Sequence, residues 1–174
     1  MVPYTRGAEF SRGVDAVMAE AKALAHSGAM EITLLGQNVN AYHGISAEGD
    51  WSLARLIREI AKIPEIRRIR YTTSHPRDVT DDLIAVHADE EKLMPYLHLP
   101  VQSGSDRLLK RMIRRYSREE YVTRARALQS ARAGLTLSTD IIVGFPGETE
   151  DDFLQTLSLI REVGFVAAFG FKYS

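Results

Sequence analysis

The chain contains no cysteine. That excludes a disulfide framework and any metal or cluster held by thiolates of these residues. No apolar run approaches the roughly 20 residues of a membrane-spanning helix, and the first residues carry no signal-like apolar stretch. We therefore expect a cytoplasmic protein with no membrane partner. Neither sign of charge dominates: 22 Lys and Arg against 23 Asp and Glu leave a formal net charge of -1. Any hold on nucleic acid must come from a local basic patch, because there is no overall field to supply it. No G-x-G-x-x-G follows the first predicted strand, so the dinucleotide fingerprint is missing. None of the five histidines stands in H-E-x-x-H or comparable metal-ligand spacing. No acid–base pair or nucleophile triad stands out, so we name no catalytic residue and no metal ligand in this chain.

What is present is a chain of 174 residues, 45% hydrophobic, enough for one domain with a sizeable core. Val14, Val17, Met18, Ala21, Leu24 and Ala25 recur at helical spacing, and Gly28 is placed to stop that helix. Ile32-Thr33-Leu34-Leu35 reads as a short buried strand closed by Gly36. The alternation then repeats. Leu53 to Ile60 is helical, Ile66 to Tyr71 a strand, and Thr80 can N-cap a helix to about Ala88. Pro95 to Leu99 is a strand, followed by helices over 106–114 and 119–132, the second opened by a capping box of Ser117 and Glu120. Leu135 to Val143 is a strand, 150–163 a helix and Phe165 to Lys172 a last strand. Alternating β and α elements predict parallel strands with helical crossovers. The fold class is α/β: a partial (β/α) barrel of about five parallel strands with outer helices, in a single domain over 1–174.

Active sites of such barrels lie at the C-terminal ends of the strands. Those ends read Gly36-Gln37-Asn38, Thr73-Ser74-His75-Pro76, Pro100 to Ser105, and Gly144-Phe145-Pro146-Gly147-Glu148-Thr149. All are small or polar, which suits cradling a polar ligand by backbone and amide groups. At Gln102 to Asp106, free backbone N–H groups could bind an oxyanion, or Ser105 or Asp106 could simply cap a helix. Gly144 could let backbone approach a ligand, or the segment could be an ordinary turn. Arg107, Arg111, Arg114, Arg115 and Arg118 recur every three or four residues, either a phosphate grip or a solvated face. Tyr116 could stack on a base or pack. His75 and His98 lie near strand ends, whereas His26, His43 and His87 read as surface residues.

Several of these stretches, in order, resemble the radical S-adenosylmethionine methylthiotransferases, and among them the MiaB-type branch that modifies tRNA. They are Val2-Pro3-Tyr4-Thr5-Arg6-Gly7 with Ser11-Arg12, Leu34 to Tyr42, Tyr71 to Pro76, Leu97 to Asp106, Asp140 to Thr149, and Phe171 to Ser174. The resemblance covers essentially the whole chain. Gly144 to Thr149 marks only the wider methylthiotransferase group. The Gln37-to-Tyr42, Thr72-to-Pro76 and His98-to-Ser105 stretches favour the tRNA branch over the ribosomal-protein branch.

The resemblance implies a partial radical-SAM barrel with its first strand missing. It also implies a cofactor set: S-adenosyl-L-methionine and two 4Fe-4S clusters, neither ligated by this chain. Further implied are a tRNA substrate, an electron donor for the cluster, and 2-methylthiolation of N6-isopentenyladenosine next to the anticodon. Gly36, Gln37 and Asn38 would approach the methionine end of the cofactor. Ser74, Gln102 and Ser103 would line its ribose and carboxylate, and Asp140, Gly144 and Phe145 would lie near its adenine. The three cluster cysteines, the second-cluster domain, the first barrel strand and the TRAM domain are absent. Met1 would fall just after the cluster loop, as an internal start or a cut end. Three expectations follow: the chain alone is inactive, its open sheet edge beside Ile32 to Leu35 promotes association, and its arginines provide any RNA contact. The alternatives are a cysteine-free pseudo-enzyme or RNA-binding module, or a methylthiotransferase acting on another tRNA adenosine or on a ribosomal protein.

Overall fold

The structure is a computed structural model and describes residues 10–72 and 74–174. The Val2-to-Gly7 stretch and Thr73 lie outside the described residues. Helix α1 (Val14–His26) leads into strand β1 (Glu31–Leu34), then a hairpin of β2 (His43–Ser46) and β3 (Gly49–Ser52). Helix α2 (Leu53–Ala61), β4 (Arg68–Tyr71), α3 (Asp81–Asp89) and β5 (Tyr96–His98) follow. Helices α4 (Asp106–Arg111) and α5 (Arg118–Ala131), then β6 (Thr136–Val143), α6 (Glu150–Val163) and β7 (Ala167–Lys172) complete the chain.

β1 pairs in parallel with β4, and β5, β6 and β7 pair in parallel in that order. A parallel bridge between Ile69 and Leu93 joins the two groups. There the Ile69 N–H donates to the Lys92 carbonyl at 2.8 Å, and the Met94 N–H to the Ile69 carbonyl at 3.0 Å. Five parallel strands thus form an open α/β sheet, as the alternation predicts. Among the described residues β1 and β7 each pair on one side only.

The core forms where the helices cover one face of the sheet. Ile57, Ile60, Ile66, Ile69, Leu97, Leu99, Leu137 and Tyr121 are fully buried there. Because side chains alternate along a strand, Leu97, Leu137 and Ile141 face the helices, while Tyr96, His98, Ser138 and Asp140 share the other face. On β5 and β6 that second face is polar, and β7 adds Phe169 and Phe171 to it.

Local chemistry fixes the helix ends. Ser52 caps α2 by accepting from the Arg55 N–H, and Ser117 with Glu120 forms the predicted capping box of α5. A second capping box, Thr149 with Asp152, opens α6, and Gly164 (φ 70°) closes it in the left-handed conformation. Thr80 stands at the N-cap of α3 but makes no cap hydrogen bond; its hydroxyl donates to Asp82.

Three expectations need correction. The β2–β3 hairpin falls where no strand is predicted, because each strand has four residues, two of the eight are glycine, and no alternating run marks them. α4 ends at Arg111, three residues early, because Ile113 turns left-handed (φ 58°) and the Arg114 N–H closes back on the Leu109 carbonyl at 2.8 Å. His87 is not a surface residue but has no exposed surface at all. It lies beside Leu83 and Val86 on the buried side of α3, where its Nε2 shares a 2.7 Å hydrogen bond with the Tyr71 hydroxyl.

Candidate functional site

The loops after β1, β4, β5 and β6 meet at one end of the sheet, and specific bonds clip them together. Asn40 is buried and grips the β4 loop twice, accepting from the His75 N–H and donating to the His75 carbonyl, both at 2.8 Å. Beside it the Asn38 amide donates to Asp78 at 2.7 Å. Two acceptors are left over: Asn38 Oδ1 and Ser74 Oγ are buried without a partner. Buried polar atoms are nearly always satisfied, so these two mark where a polar ligand would complete the shell. Gly36 and Gln37 are exposed just above them.

The β5 loop divides. Gln102 adopts φ 75°, uncommon for a residue with a side chain. It is held there because its N–H donates to the Asp140 carbonyl and its carbonyl accepts from the Ile142 N–H, both at 2.9 Å. Its side chain remains half-buried at the mouth. Ser103, Gly104 and Ser105 go the other way and dock on α6. The Gly104 N–H donates to Thr156 Oγ1 at 2.9 Å, and the Ser105 hydroxyl donates to Asp152 at 2.5 Å. Ser103 has no exposed surface and lies 3.4 Å from Thr156 Oγ1. Of the two open readings of this segment, helix capping and packing are what the geometry shows: Ser105 also accepts from the Leu108 N–H.

The turn after β6 is likewise self-contained. Glu148 Oε2 accepts from the Gly144 N–H and, at 3.2 Å, from the Phe145 N–H. The two amides that could have met a ligand are therefore occupied. Gly144 itself is left-handed (φ 70°) and exposed, and the Phe145 ring packs edge-on against Tyr173.

Below the mouth, on the face away from the helices, runs a chain of polar contacts. Tyr96 Oη lies 2.6 Å from Ser138 Oγ, Ser138 Oγ 2.9 Å from His98 Nδ1, and His98 Nε2 3.3 Å from Asp140 Oδ2. Asp140 is thus engaged by His98, a contact that no spacing in the sequence announced.

The five arginines part company. Arg107 clasps Asp152 and donates to the Gly147 carbonyl at 2.7 Å. The Arg107 guanidinium, then Ser105 and Thr149, hold the Asp152 carboxyl well below the usual carboxylate range. Arg118 binds the Gln155 carbonyl at 2.7 Å and Glu162 at 2.8 Å. Both are braces for α6. Arg111 lies across Gly147, where a Cβ would collide with its guanidinium. Arg114 and Arg115 form no ion pair among the described residues, and Arg114 Nε is buried and unpartnered. Tyr116 packs rather than stacks: it is buried, and its hydroxyl donates to the Val101 carbonyl at 3.0 Å.

The radical SAM superfamily model matches residues 1–160. This chain belongs to the radical SAM superfamily. Among solved radical SAM structures, coproporphyrinogen III oxidase (HemN) from Escherichia coli is similar to 92% of this chain over 36% of its own, with TM-score 0.66 at 17% identity. The cobalamin-dependent radical enzyme OxsB with aqua-cobalamin and S-adenosylmethionine bound is similar to 85% of this chain over 22% of its own, with TM-score 0.64 at 14% identity. Those likenesses establish the fold.

Sequence relatives are closer. A protein of Jannaschia sp. (strain CCS1) is 59% identical over all 174 residues, and one of Ehrlichia canis (strain Jake) is 58% identical. Both are named tRNA-2-methylthio-N(6)-dimethylallyladenosine synthase. The chain spans 38% and 40% of their lengths.

Radical SAM enzymes use S-adenosylmethionine and an iron–sulfur cluster. The cluster does not fit this chain. It has no cysteine, and among the described residues no three His, Asp or Glu are grouped to hold a metal. For S-adenosylmethionine the residues present are compatible: Asn38 Oδ1 and Ser74 Oγ at the strand ends are buried polar atoms without a partner, which a polar cofactor would satisfy. No helix of the described residues is long and apolar enough to cross a membrane.

Proposed function

We propose that these residues form most of the radical-SAM barrel of an enzyme that 2-methylthiolates N6-isopentenyladenosine beside the tRNA anticodon. The observation that carries this reading is identity of 56–59% running through the whole chain to synthases of that name. The open polar mouth supports it. In this reading Gly36, Gln37 and Asn38 face the methionine end of S-adenosylmethionine, Ser74 and Gln102 its ribose and carboxylate, and Asp140, Gly144 and Phe145 its adenine. The chain's task is to bind and orient; electrons from a donor protein and the radical chemistry itself come with the cluster and cofactor.

The 174 residues by themselves should be inactive, because no thiolate is available to hold a cluster. Two measurements check this. The gene carrying this segment, expressed in a host lacking the modification, should restore 2-methylthio-N6-isopentenyladenosine in digested tRNA, read by mass spectrometry. The 174-residue chain, given reductant, iron and sulfide, should release no 5′-deoxyadenosine from S-adenosylmethionine. Restoration of a different methylthio nucleoside, or none, would sink the assignment. Gln102→Ala and Gly144→Val in the active enzyme should each weaken cofactor binding.

A further inference from the structure

The basic run does not act as one patch, and its separation exposes a site that the sequence did not show. With Arg107 and Arg118 committed to α6, two guanidinium groups from separate loops remain together. Arg77, from the β4 loop, and Arg115, from the turn after α4, line one cleft of about 390 Å³ with Asn38, His75, Asp78 and Ile113. Neither arginine forms an ion pair among the described residues. The cleft sits at the C-terminal ends of β1 and β4, the end where barrel enzymes receive substrates.

Its lining is donor-rich. Arg114, in the turn beside the cleft but outside its lining, has its Nε buried without a partner. His75 Nδ1 accepts from the Arg77 N–H at 3.3 Å, which leaves Nε2 to carry the ring proton and donate. Burial outweighs the nearby Asp78 carboxylate and, with Arg114 and Arg77, holds the imidazole below its ordinary pKa. The one acid, Asp78, is tied to Asn38 at 2.7 Å and lies 3.9 Å from His75. Two free guanidinium charges against one carboxylate leave a modest positive excess. That suits the single charge of a phosphodiester better than a dianion. At the lip, Ile113 is 80% exposed and held at φ 58°, an apolar knob beside the anion site.

We propose that this cleft is a phosphodiester subsite that seats the backbone of the RNA substrate at the barrel mouth. It rests on the tRNA-modifying reading and adds Arg77, His75 and Arg115 as the residues that grip the strand. The anchor holds a polymer backbone, so it shows in binding even when no chemistry occurs.

The test is binding of a fluorescein-labelled anticodon stem-loop RNA to the 174-residue chain by anisotropy, over a range of salt concentrations. The double variant Arg77→Ala, Arg115→Ala should bind roughly ten-fold more weakly at low salt. The slope of log K against log salt should shrink by about 0.7 for each phosphate that no longer meets a cation. Arg77→Lys should keep most of the slope. Arg124→Ala removes an equal charge from the outer surface, where Arg124 pairs with Asp81 at 2.8 Å, and should change neither quantity. Thermal melts confirm that each variant is folded.

An unchanged slope in the double variant, an equal loss in Arg124→Ala, or no RNA binding by the parent chain overturns the proposal. So does displacement of the RNA by S-adenosylmethionine, which would give the cleft to the cofactor's carboxylate. The enzyme reading is judged separately, by nucleoside analysis, so the two can fail independently.

Discussion

His87 shows what one misplaced polar group demands of a core. It is fully buried, and among the described residues its one polar contact is the Tyr71 hydroxyl, with Nδ1 left unpartnered. Desolvation, and then the charge of Arg132, push its pKa down from 6.5 to about 4. The folded state therefore resists protonation where the unfolded chain accepts it. Stability is at its full value above pH 6.5 and falls as the pH drops toward 4, by about 3 kcal/mol in all. Thermal melts of wild type and His87→Leu between pH 7.5 and about 4.5 check this. The variant should start less stable by about 1–3 kcal/mol, because the buried Tyr71 hydroxyl loses its hydrogen-bond partner, and should then lose less as acid is added. Parallel curves would refute the buried-neutral assignment.

At the scale of elements, two glycines that look alike in the sequence do opposite things. At Gly104 a Cβ would meet the Gln155 carbonyl oxygen at 2.5 Å and Thr156 Cα at 2.6 Å, both backbone atoms that cannot swing away. At Gly144 a Cβ would meet nothing within 4 Å, but φ is 70°. Gly104→Ala should push α6 off the β5 loop and cost about 3 kcal/mol or more, whereas Gly144→Ala should cost about 1 kcal/mol of backbone strain. Denaturant melts rank the two; equal losses would contradict the packing role of Gly104.

Local causes were legible in the sequence, and distant ones were not. The five parallel strands and most helices could be read because each is a single apolar run bounded by Gly, Pro or a capping residue, whereas the β2–β3 hairpin has no such run. Ser117 and Glu120 marked the start of α5 outright. The end of α4 was hidden, since Ile113 carries none of the marks of a left-handed residue. The polar mouth was visible in outline, because Asn38, Ser74 and Gln102 do stand at strand ends. The uses of Ser103, Arg107 and Arg118 were not visible. All three depend on α6, between 37 and 53 residues away along the chain.

For the molecule as a whole, the open sheet is the dominant fact. β1 and β7 each offer an unpaired edge among the described residues, and on β7 Phe169 and Phe171 are 50% and 54% exposed. Unpaired apolar edges template association. Sedimentation velocity of the chain should therefore show mass rising with concentration, and Phe171→Lys should reduce it. A monomer at every concentration, unfolding in one sharp transition, would show that these edges are protected.

Ile113 carries a consequence for mutational tolerance. A β-branched side chain at a left-handed helix end is disfavoured by about 1 kcal/mol or more relative to glycine, and its side chain is mostly in solvent. Fold stability alone would push this position toward glycine or asparagine. In a library scored only for folding, Ile113→Gly should outcompete the parent chain. In one scored for binding of the anticodon stem-loop RNA, retention of isoleucine would measure how much its exposed side chain contributes to the proposed cleft.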